Sequence, residues 1–106
     1  MNDYFAIFTN LKTRIMASRR ELKKDIHYIA FELISECLVY KHFHPDTPDE
    51  KIDSIIENII RHRNDYLSRV NKPDGKDTTA LVKKHYRSII DDLKNKTIPL
   101  LDGLEN

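Results

Sequence analysis

Histidine and cysteine are the side chains of this sequence best suited to chemistry, and there are five of the first and one of the second. His42 and His44 flank Phe43, with Asp46 close behind. Such an H-x-H pair with a carboxylate could begin a metal site. No third nitrogen or sulfur ligand stands at motif spacing, so His42 and His44 are only weak metal candidates. The helix dipole explains His42 equally well, since a cation is favoured at a helix carboxyl end. His27, His62 and His85 stand singly, and neither H-E-x-x-H nor a paired E-x-x-H occurs. The zincin and di-iron bundle patterns therefore fail.

A nucleophilic Cys37 would need exposure and a basic neighbour. Its neighbours are Leu33, Ile34, Leu38 and Tyr40, so a buried, inert thiol is expected. Asp91-Asp92 and Glu32 with Glu36 are carboxylate pairs of the kind helices carry on solvated faces. The only glycines, Gly75 and Gly103, leave no phosphate-cradling loop. With no acid, base, nucleophile or metal set assembled, neither a catalytic site nor a cofactor is expected.

Arg63 is the most informative single residue. At 100° per residue from Ile52 it falls in the middle of an apolar face, between Ile59 and Tyr66. A buried guanidinium needs a carboxylate. The sequence predicts a structural buried ion pair from Arg63 to Glu36 or Glu32, with Glu36 preferred. An anion-binding arginine and a side chain that snorkels to solvent are the alternatives.

Basic residues gather at Arg14, Arg19, Arg20, Lys23 and Lys24, at Arg61, Arg63 and Arg69, and at Lys83, Lys84 and Arg87. Converging on one face, they could contact a phosphate backbone. Against this, 18 Lys plus Arg meet 17 Asp plus Glu, a net charge of +1. A dedicated nucleic-acid binder carries a larger basic excess.

The elements that position these residues are helices. At 106 residues the chain fits one domain, 1–106. Scarce glycine and helical spacing of the apolar residues imply an all-α, antiparallel helical bundle. From Asp3 to Phe43 there is neither proline nor glycine, and Tyr4, Phe8, Leu11, Ile15, Leu22, Ile26, Ile29, Leu33, Cys37 and Tyr40 share one stripe. This predicts three long helices, or four if Ser18-Arg19-Arg20-Glu21 is a capping box that breaks the first segment. From Ile26 to Phe43 the other faces are apolar too (Tyr28, Phe31, Ile34, Leu38, Val39), which predicts a central helix enclosed by its neighbours.

Thr47-Pro48-Asp49-Glu50 begins the next helix, with Thr47 as cap and Pro48 in the first turn. Its core face runs Ile52, Ile55, Ile56, Ile59, Ile60, Tyr66, Leu67 and Val70 to an end near Asn71. The last helix begins at Asp77 or Thr78, turns Leu81, Val82, Tyr86, Ile89, Ile90 and Leu93 inward, and stops before Pro99. Leu100, Leu101 and Leu104 form a tail that docks on the bundle.

This pattern predicts a non-enzymatic interaction module that self-associates or binds another protein through helix faces. A continuous first helix would leave Tyr4, Phe5, Phe8, Leu11 and Ile15 uncovered as the interface, and a homodimer is the simplest cover. The second reading is a small nucleic-acid accessory or regulatory protein that uses Arg14, Arg19, Arg20, Lys23, Lys24, Lys83, Lys84 and Arg87. No stretch is long and apolar enough to span a membrane, and Met1-Asn2-Asp3-Tyr4 lacks a signal-peptide pattern. A cytoplasmic protein follows.

Overall fold

The computed structural model describes residues 19–71 and 79–105. Within them the chain forms three α-helices and no strand: α1 (Arg19–Phe43), α2 (Asp49–Val70) and α3 (Thr79–Asp92). A π-helical turn, Leu93–Thr97, and a 3-10 segment, Ile98–Glu105, follow α3. Whether α1 extends through Ser18 lies outside the described residues, as do Tyr4, Phe5, Phe8, Leu11, Ile15 and Arg14 and the predicted start at Asp77 or Thr78.

α1 and α2 meet along their apolar stripes. Leu22, Ile26, Ile29, Ala30, Leu33 and Cys37 of α1 are buried, as are Ile52, Ile55, Ile59, Tyr66 and Val70 of α2. Leu33, Cys37, Ile59 and Val70 have no exposed surface at all. From α3 and the turn after it, Tyr86, Ile89, Ile90 and Leu93 complete the core. Leu101 and Leu104 are buried with them, so the carboxyl-terminal tail docks as its sequence predicts.

The turn between α1 and α2 is held by a lysine rather than by a threonine cap. Pro48 occupies the cap position of α2 with extended φ and ψ, and no side chain bonds the first turn. The Pro48 carbonyl accepts from the Lys51 and Ile52 amides at 3.1 and 3.4 Å. Lys41 spans the turn. Its Nζ donates to the carbonyls of Pro45 and Thr47 and pairs with Asp49 at 3.0 Å. The expected Thr47 cap fails because Pro48, displaced one place outward, already stands at the helix boundary.

Pro99 shapes the other end. It has no N–H to return to Asn95, so the α-helical ladder cannot run through it. The chain widens before it, and the Ile98 amide donates to Leu93, five residues back. The π turn keeps Leu93 and Thr97 on the buried side.

Two packing expectations are corrected. Leu81 is 57% exposed, because at 100° per residue it lies far around α3 from the Tyr86–Ile90–Leu93 stripe. More consequentially, α1 is not enclosed. Tyr28, Phe31, Leu38, Val39 and Phe43 are between 50 and 71% exposed. Among the described residues α2 and the tail cover one side of α1 only, and the outer side faces solvent.

If the tail belongs to the core, Leu104→Ala should lower the unfolding free energy by about 2–4 kcal/mol, the cost of a buried leucine truncation. Urea unfolding followed by circular dichroism measures this. A loss within about 0.5 kcal/mol, the usual range for surface positions, would show the tail undocked.

Candidate functional site

Two places in the structure gather residues that could act. One is a polar cluster around the buried Thr97, and the other is the outer face of α1 with the groove beside it.

Thr97 is a buried polar side chain, 3% exposed. Its Oγ1 lies 2.5 Å from the Tyr66 hydroxyl and 2.7 Å from His62 Nδ1. A neutral His62 with its proton on Nε2 lets this chain run one way: Tyr66 donates to Thr97, and Thr97 donates to His62. Burial keeps His62 below the ordinary imidazole pKa, helped by Arg61 and Lys96 and opposed by Asp65. Burial likewise pushes the Tyr66 hydroxyl up, against the Thr97 hydrogen bond.

Next to this cluster, Arg69 ties α2 to α3. Its Nη1 lies 2.8 Å from Asp92 and 3.7 Å from Asp65, and its Nη2 donates to Ser88 at 3.1 Å. The guanidinium carbon also sits 5.6 Å from the centre of the Tyr66 ring. Burial disfavours the charged Asp92 carboxylate. Arg69, by hydrogen bond and charge, and Lys96 outweigh that and hold its pKa below the usual carboxylate value. His85 Nε2 donates to the Arg69 carbonyl and adds a second α2–α3 tie.

A histidine bonded to a threonine hydroxyl has the outline of a base and its nucleophile. Space decides against it. The cavity that reaches Thr97, lined by Ile26, Ile29, Ala30, Ile59, Arg63, Tyr66 and Leu93, is about 10 Å³. That is room for about one water. The cluster satisfies a buried hydroxyl and fixes the turn before Pro99. Among the described residues no buried side-chain nitrogen or oxygen lacks a partner.

The outer face of α1 is open by contrast. Tyr28, Phe31 and Leu38 point away from the core, with Val39 and Phe43 beside them. Val39 and Phe43 continue into a groove of about 200 Å³ whose other walls include Tyr40, Leu101 and Leu104, with Glu36 and Glu105 among its lining residues. This is smaller than most small-molecule pockets, which begin at about 300 Å³. It extends the apolar face rather than forming an enclosed site.

The residues singled out from sequence fall as follows. Arg63 is half-buried, and its Nε and Nη2 donate to Asn64 Oδ1 at 3.2 and 3.0 Å. Glu36 and Glu32 are half-buried, and Glu36 lines the groove near Tyr40. The long arginine stem crosses the apolar stripe and brings the charge to its edge, so no buried carboxylate is needed.

Cys37 has no exposed surface, and burial, with the Glu36 charge adding to it, raises its thiol pKa to about 11. His44 stacks on Tyr40 with ring centres 4.0 Å apart, and its Nδ1 donates to the Tyr40 carbonyl at 3.1 Å. His42 meets Phe43 edge-on. Among the described residues no group of three or more His, Cys, Asp and Glu could hold a metal ion.

Arg19, Arg20, Lys24, Lys84 and Arg87 are exposed, and Lys23 and Lys83 are half-buried. Arg69, from the middle basic cluster, is committed to Asp92, and Arg61 donates to Asn58. Among the described residues no helix is long and apolar enough to cross a membrane.

Sequence reasoning missed Thr97, and it placed Arg69 in a basic cluster rather than in an ion pair. Thr97 could have been found by extending the Tyr86–Ile90–Leu93 stripe by four residues. For Arg69 the local signal is Asp65 one turn earlier, an acid-before-base i,i+4 pair. No family model matches this chain, and neither a curated protein nor a solved structure matches it.

The Thr97 cluster makes a pH prediction. Because the folded state holds His62 below its unfolded pKa of about 6.5, its contribution to stability is complete above that value. It is lost as pH falls from there through the lower folded value. The urea midpoint should therefore drop between about pH 7 and 5, and the drop should shrink in His62→Gln. An identical slope in His62→Gln would show that His62 is not the group responsible.

Proposed function

We propose that this chain is a non-enzymatic helical interaction module that binds a protein surface through the outer face of α1. The observation that carries the reading is that exposed apolar face. Tyr28, Phe31, Leu38, Val39 and Phe43 are each at least half exposed on one helix. At roughly 200 Å² for a large apolar side chain, they present on the order of 600 Å² of apolar surface. That is the upper end of what the surface of a soluble monomer carries, and patches of this size mark interaction sites.

The frame behind the face is read as an antiparallel bundle. Ile26, Ile29 and Ala30, early in α1, share a cavity wall with Ile59, Arg63 and Tyr66, late in α2. Lys41, near the end of α1, reaches Asp49 at the start of α2. A helix held rigidly along one side presents its other side in fixed geometry, which lowers the ordering cost of binding.

Phe31→Lys and Leu38→Arg test whether the face is free. Both replacements are good helix formers. At a dilution where melting no longer depends on concentration, each should change stability by no more than about 0.5 kcal/mol. A loss of about 2 kcal/mol or more would mean that the side chains are packed within the folded chain, and the reading would fail.

A further inference from the structure

We infer that the occupant of the outer face of α1 is the same face of a second copy of this chain, with the two α1 helices antiparallel. This rests on the reading of that face as the interaction surface. Three observations select the occupant and its direction.

The first is spacing. Lys24, Tyr28, Phe31, Ser35, Leu38 and His42 follow one another at intervals of four, three, four, three and four. This is the a/d alternation by which one helix pairs with another at close range. The core-facing stripe of α1 uses Leu22, Ile26, Ile29, Leu33 and Cys37. The outward stripe is thus a second, separate seam. Ser35, near its middle, is small enough to let two backbones approach.

The second is area. A standard interface removes about 800 Å² from each partner. The apolar residues supply most of this, and the charged turns at either end of the seam supply the rim. A symmetric pair needs only one kind of surface, and this face is available on every copy.

The third is charge, and it fixes the direction. The amino-terminal turns of α1 expose Arg20 and Lys24, while beyond its carboxyl end the connecting turn exposes Asp46 and the first turn of α2 exposes Glu50. Parallel pairing would set basic turns against basic turns and acidic against acidic. Antiparallel pairing sets Arg20 and Lys24 of each protomer toward Asp46 and Glu50 of its partner. Complementary rims of this kind choose register and orientation more than they add affinity.

The test is sedimentation equilibrium of the full chain, at concentrations up to about 0.1 mM, where any Kd in the micromolar range is visible. The wild type should sediment as a dimer, and Leu38→Arg as a monomer of unchanged melting temperature under dilution. Arg20→Glu with Lys24→Glu should weaken the dimer by roughly tenfold or more. Adding Asp46→Lys and Glu50→Lys to that variant should restore it, because reversing both ends rebuilds the antiparallel match. In a parallel dimer the double change would leave affinity nearly unaltered, which would overturn the proposed direction. A wild-type monomer throughout this range would overturn the second copy as occupant. If Leu38→Arg is then still stably folded, the reading of a free interaction face survives that failure. If Leu38→Arg melts early even at high dilution, that reading fails as well.

Discussion

The rest of the structure follows from one constraint: among the described residues α1 is covered along one side only. α1 has 25 residues and α2 has 22, about 37 and 33 Å at the α-helical rise. These two can match along a shared seam, and they do. α3 has 14 residues, about 21 Å, and it docks where α2 ends, through Arg69, Ser88 and Asp92. The 3-10 tail packs by α2's amino-terminal half, where a Cβ added at Gly103 would come 3.5 Å from Ile55 Cδ1. Among the described residues after α2, Tyr86, Ile89, Ile90, Leu93, Leu101 and Leu104 go to finishing one core, and the residues on the other side of α1 are exposed.

With so narrow a core, the register of the pieces depends on polar contacts at its edge. Thr97 is fixed by two helical side chains one turn apart, His62 and Tyr66. The turn before Pro99 then has a single place to sit. Arg69 makes a pair that is only partly shielded, with side-chain exposures of 20% for Arg69 and 27% for Asp92. Such a pair adds less stability than a core contact, but its geometry orients α3. A fully buried ion pair would have faced a desolvation cost that this small core could not readily offset. The structure avoids that cost by bringing Arg63 out to Asn64.

Much of this was legible in the sequence because it rests on periodicity. The buried sets of α1 and α2, the burial of Cys37, the end of α2 at Asn71 and the docking of Leu101 and Leu104 all follow from spacing and from proline. What spacing cannot supply is the number of neighbours. An apolar residue on the far side of α1 reads the same whether a helix covers it or not, so Tyr28, Phe31 and Leu38 were assigned to an enclosed core. The same ambiguity holds for Arg63, because a position on the apolar stripe does not say whether a long side chain stays in the core or reaches its edge. The Thr97 cluster was hidden for a different reason: it joins residues 31 and 35 apart in sequence, and no local pattern announces such a contact.

The feature that misled the reading of the fold is also the one that speaks to function. A helix apolar on both sides is expected in the middle of a bundle, where burial maintains it. Here one side is buried by the chain itself, and the other keeps aromatic and aliphatic residues in water at a cost in solubility. Scattered exposed hydrophobics need no explanation, but a row in helical register does. The Thr97 cluster, among the described residues, opens onto a cavity of about 10 Å³. The groove at Tyr40 merges with the same face through Val39 and Phe43. Exposed apolar area and helical spacing meet on the outer side of one helix. Among the described residues the buried polar side chains are already partnered, and the proposed interaction rests on the exposed apolar row of α1.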